Sequence, residues 1–231
     1  MTTPCSTTTA TARFLLIGDS HAGPIGKAAR RQGLPFTGGP LGAGREFNTD
    51  FFDGAEGDLT FRKKEANALF RRFLGELGAP TFSRITVPVV STVGFSAHFP
   101  ATRENWEIYQ ARTGAFEEGF LSSRLFDEII LAMARGALAF YEYALSLKLR
   151  IVAVMPPQRV PVLSDPAAFM AAQETIRRAL DALGVEIVDV RSVAADGSGF
   201  QHPEFCEADD PLHGNLAFGQ LILDELAARG V

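Results

Sequence analysis

The chain has 231 residues, of which 46% are hydrophobic and 21% charged, enough to bury one large core and too apolar for a disordered protein. Its 27 acidic residues outnumber 22 basic ones for a formal charge of −5, and no Lys/Arg block stands anywhere along it. Nucleic acid and anionic membrane are therefore not expected as partners, because a run of phosphates would meet no cationic face.

The first twelve residues, MTTPCSTTTATA, are polar and Thr-rich, without the basic start and apolar stretch of a signal peptide. They read as a frayed tail ahead of one domain over 13–231. Arg13 to Ile17 is a short apolar run that stops at Gly18-Asp19-Ser20-His21, and a helix can begin around Pro24. Residues 33–60 hold no steady period of 2 or 3.6 and predict a long irregular excursion, of the kind that is often functional. Asn67 to Leu77 has helical spacing, and Ile85 to Val93 is rich in β-branched residues and predicts a strand. Ser122 to Leu149 carries one long apolar pattern behind a serine cap and predicts the longest helix. Arg150 to Met155 predicts a buried strand, Asp165-Pro166 opens a helix to Leu183, Val185 to Val190 is a further strand, and a last helix runs from about Asn215 to Ala228. No window has 18 consecutive apolar residues, so no transmembrane helix is expected.

Strands apolar throughout and alternating with helices predict a parallel sheet covered on both faces, with active residues in loops at the carboxyl ends of its strands. Gly18-Asp19-Ser20-His21 ends the first such strand. A serine hydroxyl is a weak nucleophile until a base takes its proton. Asp210-Pro211-Leu212-His213, just before the last helix, can supply one: the Asp accepts the imidazole Nδ1 hydrogen and leaves Nε2 for the serine. No H-E-x-x-H or paired C-x-x-C spacing is present, so no metal or other cofactor is expected. Cys5 and Cys206 could form one bridge, although so few thiols suit a reducing cytoplasm better.

GDSH after the first strand and D-x-x-H before the last helix resemble the first and last blocks of the SGNH (GDSL-like) hydrolases, and the order of elements is similar over about residues 13–229. The resemblance implies a three-layer α/β/α flavodoxin-like sandwich with a parallel sheet of about five strands. It also implies an ester hydrolase with Ser20 as nucleophile, His213 as base and Asp210 as its orienter, acting on a small-molecule or carbohydrate ester. The Ser20 backbone N–H would be one oxyanion donor, and a glycine N–H, placed at Gly39 or Gly42, a second. The family's asparagine donor, usually in G-x-N-D, has no counterpart in Gly94-Phe95-Ser96-Ala97. Ser96 stands in its place, with Asn48 or His98 as alternative donors.

Other residues have competing readings. His21 could point into the cleft or make a local hydrogen bond. His98 and His202 read as solvated loop residues. Trp106, Tyr109, Phe95, Phe51, Phe52 and Phe205 could line a substrate pocket or pack, and Arg45 and Arg103 could hold an anionic group or lie on the surface. Two alternatives stand beside the hydrolase: an O-acyltransferase with the same triad, since GDSHA also resembles SGNH domains fused to membrane acyltransferases, and a degenerate ligand-binding protein on the same scaffold. A flavodoxin-like phosphate binder would leave Asp210 and His213 unexplained. The acyl group, the alcohol and the oligomeric state are not legible.

Overall fold

The computed structural model describes residues 11–111 and 113–231; most of the expected tail, and any bridge involving Cys5, lie outside them. In chain order the elements are β1 (Leu15–Gly18), α1 (Ala22–Gln32), β2 (Thr37–Pro40), β3 (Phe52–Ala55), β4 (Asp58–Phe61), α2 (Lys64–Glu76), β5 (Val89–Ser91), α3 (Arg124–Met133), α4 (Arg135–Ser146), β6 (Ile151–Val154), α5 (Pro166–Ala182), β7 (Glu186–Val188), the short α6 (Arg191–Ala194) and α7 (Leu216–Ala228). Five strands form a parallel sheet in the order β2-β1-β5-β6-β7. The direction of winding reverses between β1 and β5, so the loops leaving these two neighbours part at their carboxyl ends and open a crevice there.

β1 and β6 are apolar throughout because each buries both faces. Leu15 and Ile17 of β1, with Ile151 and Ala153 of β6, pack under α2 to α5, whereas Leu16, Val152 and Val154 pack against α1 and α7. The result is the expected three-layer sandwich. The α1–α7 layer is closely packed: a Cβ on Gly219 would lie 2.3 Å from the Pro24 carbonyl oxygen. Only a glycine lets α7 approach α1 there, and α7 in turn carries the loop that holds His213.

Three expectations are corrected. Residues 33–60 are not one irregular excursion. They contain the edge strand β2 and an antiparallel β3–β4 hairpin, turned through Glu56 and Gly57, both with positive φ. Thr-Gly-Gly-Pro suits only an edge, and the hairpin strands are half exposed, so neither shows an apolar period. The single long helix expected over 122–149 is instead two, α3 and α4, bent by 72° at Ala134. Its apolar pattern serves two partners: Phe126 of α3 meets the Trp106 aromatic cluster, while Phe140 and Tyr143 of α4 pack on the hairpin aromatics. Gly136 lets the start of α4 lie against the Thr49 carbonyl, which a Cβ would approach to 2.0 Å. Consequently α5, with 17 residues and an Asp165 cap, is the longest helix described. Among the described residues no single helix is long and apolar enough to cross a membrane, although the bent α3–α4 pair passes that test jointly.

Candidate active site

Ser20 lies two residues after the end of β1 and two before the start of α1, at a turn fixed from the neighbouring strand. Gly18 lies so close to Thr92 that a Cβ would come within 2.1 Å of Thr92 Oγ1, so the residue before the turn has to be glycine. Thr92 Oγ1 accepts the Asp19 N–H at 3.1 Å and donates to Asp19 Oδ1 at 2.8 Å, and the same oxygen accepts the His21 N–H at 3.0 Å. Asp19 is thus buried as the brace of the turn, and it leaves Ser20 exposed to the crevice.

His213 comes from the other end of the chain. Asn215 caps α7 by accepting the Phe218 N–H, and the segment before it is tied by Arg159, which donates to the carbonyls of Glu207 and His213 at 2.8 and 2.9 Å. Asp210 Oδ1 accepts the N–H groups of Leu212 and His213, and its Oδ2 lies 2.6 Å from His213 Nδ1. Burial raises the Asp210 pKa, but these two N–H groups and the ring outweigh it and hold the carboxyl at about 2. An ionised Asp210 can only accept, so Nδ1 carries the ring proton and Nε2 presents a lone pair. That nitrogen is 2.7 Å from Ser20 Oγ. The structure therefore brings together Ser20, His213 and Asp210, from opposite ends of the chain, in a relay suited to drawing a proton from the serine hydroxyl.

A cleft of about 400 Å³ opens over Ser20, bordered by Gly44, Arg45, Ser96, His98 and Phe99 among others. Ser96 and His98 are thus at the site. Gly39 and Gly42 are not among the lining residues: Gly39 pairs with Ile17 inside the sheet, and Gly42 sits against Glu46. Nor is Asn48, which is buried at the end of the short turn Gly44–Phe47. The glycine at the cleft is Gly44, the last one of the same FTGGPLGAG segment. A Cβ there would stand 2.6 Å from Ser96 Oγ and 3.0 Å from Asp19 Oδ2. Among the described residues, the backbone N–H groups of Ser20 and Gly44 donate to no protein acceptor outside the regular elements.

The aromatic candidates resolve as packing. Trp106 is buried and donates Nε1–H to the Pro100 carbonyl at 2.7 Å, Phe95 is fully buried, and neither lines the cleft. Arg103 donates to the Ser164 carbonyl, and His202 lies away from the cleft. His98 is not a solvated loop residue; it is partly buried and stacked on Phe169 at 5.3 Å.

Three imidazoles crowd the site, His21 lying 5.2 Å from His213 and 5.8 Å from His98 between ring centroids. Burial, reinforced by His213, pushes His21 down to about 3, and burial with His21 nearby pushes His98 down to about 4. Burial moves Asp19 the other way, up to about 6, against the Thr92 and His21 hydrogen bonds. The signs fix the pH behaviour. A depressed histidine leaves the folded state with fewer protons than the unfolded chain, so its contribution is present above about pH 6.5 and is lost as pH falls toward 4. A raised Asp19 gives the opposite slope, favouring the fold as pH falls from about 6 to about 4. Thermal melts at about pH 7 and about pH 4.5 should show a smaller acid-induced drop in Tm for His21→Gln than for wild type, and a larger one for Asp19→Asn. An unchanged drop in both variants would contradict this assignment.

The fold and site together define a three-layer α/β protein with a hydrogen-bonded Ser–His–Asp constellation at its topological switch point. No protein-family model and no curated protein sequence matches the chain. Solved structures share its fold over nearly its whole length. A Bacteroides fragilis protein assigned as an acylhydrolase aligns at 15% identity over 96% of this chain and 87% of its own, with a TM-score of 0.50. A Streptococcus pneumonia protein assigned as a platelet activating factor aligns at 13% identity over 97% and 86%, with a TM-score of 0.52. A Desulfitobacterium hafniense protein assigned as a lipolytic protein of the G-D-S-L family aligns at 12% identity over 94% and 98%, with a TM-score of 0.51. The chain has the fold of these proteins.

Proposed function

We propose that this chain is a serine ester hydrolase of the SGNH (GDSL-like) type. The observation that carries the reading is the unbroken relay from Ser20 Oγ to His213 Nε2 at 2.7 Å and from His213 Nδ1 to Asp210 Oδ2 at 2.6 Å. The names of the fold relatives, an acylhydrolase and a lipolytic protein, agree with an acyl ester as substrate.

In this mechanism Ser20 Oγ attacks the acyl carbon while its proton passes to His213 Nε2, and Asp210 steadies the imidazolium that forms. The N–H groups of Ser20 and Gly44 receive the developing oxyanion, with Ser96 or His98 at the place an asparagine would otherwise fill. The bond to the alkoxy oxygen then breaks, His213 gives its proton to the departing alcohol, and an acyl-serine remains. Water repeats the sequence in reverse, losing its proton to His213 and releasing the acid.

Product analysis tests the choice of water as acceptor. Incubation with p-nitrophenyl acetate, with and without a carbohydrate acceptor, should release acetate at the same rate in both. Acetyl recovered on the sugar hydroxyl would instead make the protein an O-acyltransferase using the same residues. Ligand binding without any turnover would make it a binding protein on this scaffold.

A further inference from the structure

Arg45 follows Gly44 directly and lines the cleft over Ser20. Among the described residues of the lining it is the one side chain charged at neutral pH, since burial holds His21 and His98 neutral. Among the described residues it forms no ion pair with a carboxylate, although its charge adds to the field that holds the neighbouring Glu46 carboxyl low. The adjacent Glu46 is taken by Lys63 at 2.7 Å and by the Ala43 N–H, Asp210 is held by His213 and two backbone N–H groups, and Asp19 is braced by Thr92. An exposed guanidinium with no ion pair of its own, on the lining of the cleft over the nucleophile in a protein of net charge −5, is a local reversal of the overall sign. Much of the rest of the lining is apolar: Phe99 and Leu163 are 52% and 71% exposed, and Pro161 and Leu212 line the cleft with them, among the neutral polar side chains of Ser96, Thr102 and Ser164.

We infer that this cleft takes esters that are amphiphilic and anionic, with the apolar part against Phe99 and Leu163 and a carboxylate on the Arg45 guanidinium. Resting on the esterase reading, the inference names its substrate class. The planar fork of arginine matches a carboxylate through two parallel N–H donors, and a charge-assisted pair of this kind beside an apolar wall discriminates between an acid and its neutral counterpart. The carboxylate can belong to the acyl part or to the alcohol part of the ester, and two probe pairs separate these sources. p-Nitrophenyl hydrogen glutarate against p-nitrophenyl butyrate places the charge on the acyl side; p-acetoxybenzoate against its methyl ester places it on the leaving group.

In at least one pair the ratio of kcat/KM, anionic over neutral, should fall about 10- to 100-fold in Arg45→Met, recover partly in Arg45→Lys, and fall in wild type as salt is raised. Calorimetric titration of the same anionic esters into Ser20→Ala protein, with and without Arg45→Met, reads binding without turnover, and the added substitution should weaken it by a similar factor. Equal losses for anionic and neutral esters, or no change in either pair and in binding, would overturn the inference. If esters are hydrolysed but the ratios ignore Arg45, the anion site fails and the esterase stands. If no ester is hydrolysed but binding depends on Arg45, the esterase fails and the anion site stands.

Discussion

Ser20→Ala is expected to hydrolyse p-nitrophenyl acetate about 10⁵- to 10⁶-fold more slowly than wild type, with a melting temperature almost unchanged. The hydroxyl is exposed and, among the described residues, its one hydrogen bond is to His213, so its removal leaves the fold's packing intact. His213→Ala should lose nearly as much, because without Nε2 the hydroxyl keeps its proton. The double variant should be no slower than either single one, since nucleophile and base act as a unit and removing either disables both. Multiplying losses in the double variant would mean that the two side chains contribute independently, contrary to the 2.7 Å contact between them.

Gly44→Ala is expected to lower kcat about 10²- to 10³-fold with little change in KM, the size of effect seen when one oxyanion donor is displaced. The reason is space. A Cβ would meet Ser96 Oγ at 2.6 Å and Ser96 Cβ at 2.7 Å, and Asp19 Oδ2 at 3.0 Å, so the turn 44–47 has to retreat from the cleft. Ser96→Gly in the Gly44→Ala background removes the two closest atoms and should recover the part of the rate that is lost to space alone. Ser96→Ala keeps the Cβ and should restore little. Kinetics of the four proteins on p-nitrophenyl acetate check this, and full activity in Gly44→Ala alone would place the oxyanion elsewhere.

Much of this was legible before the structure. β1 and β6 read as strands because burial on two faces leaves no polar interruption, and Asp165-Pro166 marks the start of α5 through a cap and a pre-set φ. Ser20, His213 and Asp210 stood out because each sits in a short motif beside an element boundary. What stayed hidden depends on contacts across the fold. β2 and the β3–β4 hairpin lack an apolar period because they lie at an edge and on the surface. The choice of Gly44 over Gly39 and Gly42 turns on which glycine of one segment reaches the crevice, and that is set by the pairing of Gly39 with Ile17. Thr92 and Arg159, which brace the Ser20 turn and the His213 segment, carry no local signature, because their partners are 73 and 54 residues away. The bend between α3 and α4 is equally silent, since each half follows the surface it covers.

The most direct measurement is peptide mapping by mass spectrometry after treatment with a fluorophosphonate, a reagent that phosphonylates a serine whose proton is being drawn away far faster than an ordinary one. One adduct on the peptide containing Ser20, with loss of p-nitrophenyl acetate turnover and much slower labelling in His213→Ala, is the predicted result. An adduct on another residue, or turnover that survives full labelling of Ser20, would contradict the account.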